Sequence, residues 1–246
     1  MYQKENMICF IIRKQENGEH QRKRRVGMKE PIVLTKTNKE NQIIEVTAYH
    51  LENLRIVEKF PDVCSLKLVG GKVKNFNDLK KCPRLYEVSL GLTEVEDFSS
   101  LKEIRSIKSL NIQGNYKNLI DTIQDMTWLK ALSLRHCSPS SLRGLCNLVN
   151  LTSLSIGNTG RDSGILEIFS IPSIRRLKLF IPTEYEQWNL DWFLYSFKLN
   201  LPRLEWLELE MPGHIFHPET LHNLKLRHLS VTSKPFYLCK EDADKD

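Results

Sequence analysis

Aliphatic residues in this chain recur with a mixed spacing of three, three and two. In the stretch LVNLTSLSIGNTG, Leu148 to Gly160, they fall at Leu148, Leu151, Leu154 and Ile156. A helix face repeats at threes and fours and a strand at twos, so the change of period marks a change of element. The two-residue step recurs along the chain. It is found at Ile44/Val46, Leu66/Leu68, Val88/Leu90, Leu110/Ile112, Leu132/Leu134, Leu154/Ile156, Leu177/Leu179, Leu207/Leu209 and Leu229/Val231. Successive pairs lie 22 residues apart, except for steps of 23 and 30 that reach Leu177 and Leu207, and all eighteen positions hold Leu, Ile or Val.

The two-residue step places both side chains on one face of a short strand. The three-residue steps are assigned to the turn and helical return that bring the chain back to the next strand. A single unit of this kind cannot bury its own apolar face, so neighbouring units must stack. One frame describes successive units: Val63, Leu66, Leu68, Val73, Phe76, Leu79 and Cys82 are followed by Leu85, Val88, Leu90, Val95, Phe98, Leu101 and Ile104.

These positions resemble the leucine-rich repeat pattern L-x-x-L-x-L-x-x-N/C-x-L over roughly residues 42–232. The 22-residue period is similar to the short-repeat class of the protein phosphatase 1 regulatory subunit. The resemblance implies an α/β leucine-rich repeat solenoid, arc-shaped, with a concave parallel β-sheet and a helical or irregular convex side. The Asn position of the pattern is held by Gly71, Thr93, Asn115, Cys137 and Thr159, then by Pro182 and Pro212. Asn, Cys and Thr can each serve the backbone ladder at that turn, whereas the prolines lack an amide donor. The LDLSxN signature of the phosphatase regulator is absent, so its phosphatase partner is not carried over.

The domain reading that follows is a basic N-terminal arm or cap over residues 1–40 and a repeat domain over 41–232. An insertion spans 181–200, and a solvated tail follows at 233–246. Pro31 to Leu34 suit a capping strand, and Leu190 to Leu199 suit a longer convex helix that carries Trp192, Phe193, Tyr195 and Phe197. The net charge of +6 is concentrated in the arm, where ten Lys and Arg face five Asp and Glu in residues 1–40. The near-neutral remainder argues against a broadly basic protein. The run Arg22, Lys23, Arg24 and Arg25 suits nuclear import or phosphate contact.

No apolar run of about 18 residues is present, so no membrane span is expected. Met7–Ile12 is shorter than the roughly 7–15 residue core of a signal peptide. The six cysteines are scattered without a C-x-x-C pair. These features predict an intracellular protein with reduced thiols, and Asn150-Leu151-Thr152 is accordingly not expected to be a glycosylation site. Nucleotide loops and nucleophile elbows are missing. Cys137 beside His136 is read as structural because it occupies the ladder position, and His214 and His217 lack further ligands. Neither a catalytic residue, a metal, a cofactor nor a small-molecule substrate is expected.

Function is then sought on strand residues that alternate with the core positions. Those of the middle repeats are small and hydroxyl-rich, with Arg135 the exception. The later repeats present Arg176, Lys178 and Phe180, then Trp206, Glu208 and Glu210, then His228. Trp and Arg are enriched at binding hot spots, although cross-strand charge pairing alone would also explain the Arg/Lys and Glu/Glu neighbours. The expected function is a non-catalytic protein–protein interaction scaffold using the concave face. The alternatives are a substrate-recognition or receptor-type subunit of a larger complex, and a nucleic-acid-associated protein using the basic arm. Residues 1–40 show no F-box-like apolar helices, and no nucleotide-binding module precedes the repeats.

Overall fold

The computed structural model describes residues 7–11, 31–116, 118–137, 141–157, 165–181, 196–197, 200–211 and 224–232, with the backbone alone for 7–11. The chain opens with β1 (Met7–Ile11), β2 (Ile32–Thr37) and β3 (Ile43–Tyr49). Next come β4 (Ser65–Val69), the short β5 (Lys72–Val73), β6 (Glu87–Gly91) and the short β7 (Glu94–Val95). Then follow β8 (Ser109–Gln113), β9 (Ala131–Arg135), β10 (Ser153–Gly157), β11 (Arg176–Phe180), β12 (Trp206–Glu210) and β13 (His228–Thr232).

Eleven of these strands form one sheet in the order β1-β2-β3-β4-β6-β8-β9-β10-β11-β12-β13. The first two pairings are antiparallel and cap the array, and every later pairing is parallel. Parallel strands require a crossover, and here each repeat supplies it.

The aliphatic pairs form continuous core rows. Leu66, Val88, Leu110, Leu132, Leu154, Leu177 and Leu207 are aligned in register, and all are at most 2% exposed. The fourteen frame positions from Val63 to Ile104 are buried, except for half-buried Val95.

Two ends of the array depart from the expected frame. In the first repeat, Val46 and Ala48 align with Leu66 and Leu68, so Ile44 is not a core-row residue. The step there is 20 residues, and alanine fills the second position. In the last repeat Leu229 occupies its row but is 42% exposed, because β13 has no described strand on its outer side.

The convex return is built mainly from 3-10 turns: Arg55–Lys59, Asn77–Lys81, Ser99–Glu103, Arg143–Asn147 and Ile165–Ser170. A short α-helix, α1 (Leu119–Ile123), replaces the turn in its repeat, and Ser196, Phe197 and Asn200 are also α-helical. Most of the 3-10 turns direct one aliphatic inward, such as Leu79, Leu101 and Leu145, and Ile165–Ser170 directs two, Ile165 and Ile168. A 22-residue unit that also holds a five-residue strand leaves little chain for a longer helix.

The chain leaves each of five consecutive strands through a left-handed residue: His50 at φ 54°, Gly70 at 63°, Leu92 at 55°, Gly114 at 138° and His136 at 52°. Their amides donate to Val69, Gly91, Gln113, Arg135 and Gly157 carbonyls at 2.8–3.0 Å. This conformation turns the chain while extending the backbone ladder into the next repeat.

Candidate functional site

The residues between the core positions form three rows on the concave face. The first row reads Ser109, Ala131, Ser153, Arg176, Trp206 and His228. The second reads Asn111, Ser133, Ser155, Lys178, Glu208 and Ser230, and the third Gln113, Arg135, Gly157, Phe180, Glu210 and Thr232. Small side chains floor the middle of the sheet and large ones rise from its C-terminal three strands.

In the first row the three large groups stack sideways across the sheet. The Trp206 ring lies 3.7 Å from His228, with 19° between planes. On its other side the Arg176 guanidinium is 5.8 Å from the indole centroid. Such contacts are favourable where a cation meets the negative face of the indole. The ring thus meets a side chain from each flanking strand, and Trp206 is 37% exposed.

The second and third rows form an ion cluster. Lys178 bridges Glu208 at 3.1 Å and Glu210 at 2.7 Å. The Trp206 indole N–H donates to Glu208 at 2.9 Å. That hydrogen bond, with Lys178 second, holds the Glu208 carboxyl below its ordinary range. Glu210 and then Glu208 raise the Lys178 ammonium. The charge pairing across strands is thus present, and the Trp206–Glu208 hydrogen bond ties the indole to it.

The structure brings Arg176, Lys178, Phe180, Trp206, Glu208, Glu210 and His228 onto three adjacent strands. Arg135 stands apart on β9, beyond the small residues of β10. A Cβ at Gly157 would lie 3.7 Å from Arg135 Cγ and 3.9 Å from Phe180 Cβ, so this glycine keeps the floor between them low. Arg22, Lys23, Arg24 and Arg25 lie outside the described residues, as do His214, His217, Thr159, Pro182, Pro212, Trp192, Phe193 and Tyr195. Phe197 is described: it is fully buried and packs edge-on against Phe169 at 5.4 Å.

A further group was not singled out by the repeat pattern. Arg175, Glu205 and Arg227 directly precede β11, β12 and β13, and Glu205 takes Arg175 at 2.9 Å and Arg227 at 3.6 Å. Arg203 and Lys225 are exposed in the turns leading to β12 and β13. Their signal in the sequence is positional: they sit two and four residues before the first aliphatic of each pair.

Elsewhere, polar groups serve the fold. Cys137 lies in the ladder position with its thiol 3.7 Å from the Ile112 carbonyl and 3.4 Å from that of Arg135. Burial pushes this thiol up to about 11, which suits a structural role. Thr93 departs from the ladder expectation, since its buried hydroxyl has no hydrogen-bond partner. Its carbonyl accepts instead from the Tyr116 hydroxyl at 2.7 Å. Asn150 donates its side-chain amide to the Thr127 carbonyl at 2.8 Å. Alkylation with iodoacetamide at pH 8 is expected to modify exposed Cys146 and spare Cys82 and Cys137. Peptide mapping of the alkylated native protein checks this, and equal labelling of Cys137 would contradict it.

A cavity of about 680 Å³ at the ends of β6 and β8 is lined by Glu94, Glu96, Asp97 and Tyr116, among others. Most of these groups are engaged within the chain: Glu96 by Lys72, Asp97 by Ser99 and Tyr116 by Thr93. Among the described residues, no group of three or more His, Cys, Asp or Glu is placed to hold a metal ion. No helix among them is long and apolar enough to cross a membrane.

No known family model matches the chain, and no curated protein matches it. Solved structures do. An internalin C2 from Listeria monocytogenes is similar at 17% identity, with 80% of this chain and 85% of that one covered and a TM-score of 0.52. An internalin (inlF) from the same organism gives 19% identity, 75% and 58% coverage and a TM-score of 0.48. A TLR13–ssRNA13 complex gives 18% identity, 75% and 30% coverage and a TM-score of 0.46. Identities this low speak to fold alone. Nine parallel strands in unbroken register, stacked aliphatic rows and the internalin C2 likeness together show that this chain folds as a leucine-rich repeat solenoid with a concave parallel sheet.

Proposed function

We propose that this protein is a non-catalytic, intracellular interaction scaffold that docks a protein partner on its concave face, over strands β11 to β13. The observation that carries the reading is the Arg176–Trp206–His228 cluster, which presents a 37% exposed indole already held by side chains from both flanking strands. A large side chain fixed before binding loses little freedom on association, and Trp and Arg are the residue types that dominate interface energetics. The scattered cysteines, without a C-x-x-C pair, support the intracellular part.

The experiment is affinity capture with mass spectrometry, comparing wild type with Trp206→Ala combined with Arg176→Glu. Both positions are exposed, so the variant is expected to keep the circular dichroism and melting cooperativity of wild type. Partner affinity is expected to fall at least about 30-fold, the scale of a hot-spot loss. Undiminished recovery of the same partners would overturn the reading.

A further inference from the structure

We propose that the surface docks an acidic, extended polypeptide segment along the N-terminal ends of β11, β12 and β13; the inference rests on the concave-face reading above. At this end of the strands Arg175, Arg176, Arg203, Lys225 and Arg227 are all exposed. Among the described residues Glu205 is the one carboxylate within that group, and it is shared between Arg175 and Arg227. The nearby acids offer no further relief, because Glu208 and Glu210 are taken up by Lys178. Arg176 meets the Trp206 ring rather than a carboxylate. The rim is thus a cationic patch beside an exposed indole, although residues 41–246 as a whole carry a net charge of only +1. A carboxylate-rich partner matches it in sign.

Spacing points the same way. Arg175 and Arg227 stand two strands apart, about 10 Å at ordinary strand separation. Both side chains reach the Glu205 carboxylate on the strand between them, so a segment crossing the three strands meets two arginines gathered at one place. Arginine suits this role because its planar fork pairs carboxylates in two-point geometry.

A nucleic acid is also a polyanion, but single-strand binding relies on open aromatic faces on which bases stack. At Trp206, His228 stacks on the ring at 3.7 Å and the Arg176 guanidinium lies 5.8 Å from the ring centroid, so the indole is already occupied by neighbouring side chains. The partner chemistry that fits is therefore carboxylate plus a small apolar contact for the exposed indole.

The probe is a fluorescein-labelled twelve-residue peptide of alternating Glu and Asp with one central Leu, measured by anisotropy near physiological salt. Its Gln/Asn counterpart and a twelve-nucleotide oligo-dT serve as comparison probes. Wild type is expected to bind the acidic peptide and not the neutral one. Arg175→Glu with Arg227→Glu is expected to weaken binding by about tenfold or more. Lys80→Glu with Lys102→Glu, an equal charge change on the convex turns, is expected to leave it unchanged.

Equal binding of the neutral peptide, or equal loss in the convex variant, would overturn the proposal. So would oligo-dT binding that is tighter than peptide binding and lost with Arg175 and Arg227. If Trp206→Ala with Arg176→Glu abolishes partner capture while reversal of Arg175 and Arg227 does not, the concave-face reading stands and the acidic-segment inference falls.

Discussion

Replacing Gly71 by alanine is expected to destabilise the N-terminal half of the array by about 2–5 kcal/mol. Gly71 follows the left-handed Gly70 and itself has a φ of 78°. A Cβ there would lie 2.4 Å from the Leu51 carbonyl oxygen and 2.6 Å from the Leu51 amide nitrogen. Those atoms belong to the backbone of the preceding repeat and cannot swing aside. The Lys72 amide donates to the same Leu51 carbonyl at 2.8 Å, so relief of the clash would also disturb that bond. Leu92 supplies the opposite test. It adopts a φ of 55° and is 68% exposed, so it pays backbone strain without burying its side chain. Leu92→Gly is expected to gain about 1 kcal/mol. Chemical denaturation of the two variants against wild type checks the pair. A neutral Gly71→Ala would contradict the backbone packing described for these repeats.

Leu154→Ala is expected to cost about 2–5 kcal/mol, the usual range for a fully buried leucine. Leu154 is 1% exposed at the centre of the sheet, between Leu132 and Leu177 in register. In a solenoid each unit is stabilised by its neighbours, so a cavity here weakens two interfaces at once. Amide hydrogen exchange should accelerate first in β9, β10 and β11. Leu229→Ala is the matched comparison. It occupies the same row in the last strand but is 42% exposed, so its loss is expected to stay below about 1 kcal/mol. Equal losses at both positions would contradict the assignment of a shared core that ends at β13.

Much of this architecture was legible because a parallel repeat preserves its register. A step of 22 residues along the chain is one strand across the sheet, so Leu66, Val88, Leu110, Leu132 and Leu154 could be aligned from spacing alone. The same logic placed Arg176 beside Trp206 and Lys178 beside Glu208. It failed at the first repeat, where the step shortens to 20 and Ala48 fills a position expected to hold a larger aliphatic. Spacing also could not show that the return is a 3-10 turn, since both helix types bring apolar residues inward every three or four positions.

At the site, the rows were readable but the orientation was not. That Trp206 stands between His228 and Arg176 depends on side-chain rotamers, which the repeat does not encode. The cationic rim of Arg175, Arg203, Lys225 and Arg227 was missed for a different reason. Residues outside the strand were assigned to turns, although the register that aligns the strands aligns the turns as well. The ladder at Thr93 shows the limit of residue type as a guide: the side chain is capable of the bond, yet its hydroxyl is left without one.

The central claim is that partners dock on the C-terminal part of the concave sheet. The most direct measurement is photo-crosslinking from two single positions, with a photoreactive residue in place of Ser230 or of Lys102. Ser230 lies in the second row beside Glu208, whereas Lys102 lies on the convex turn Ser99–Glu103. An adduct to the captured partner from position 230, and none from position 102, is the result expected. An adduct from position 102 with none from position 230 would contradict the account.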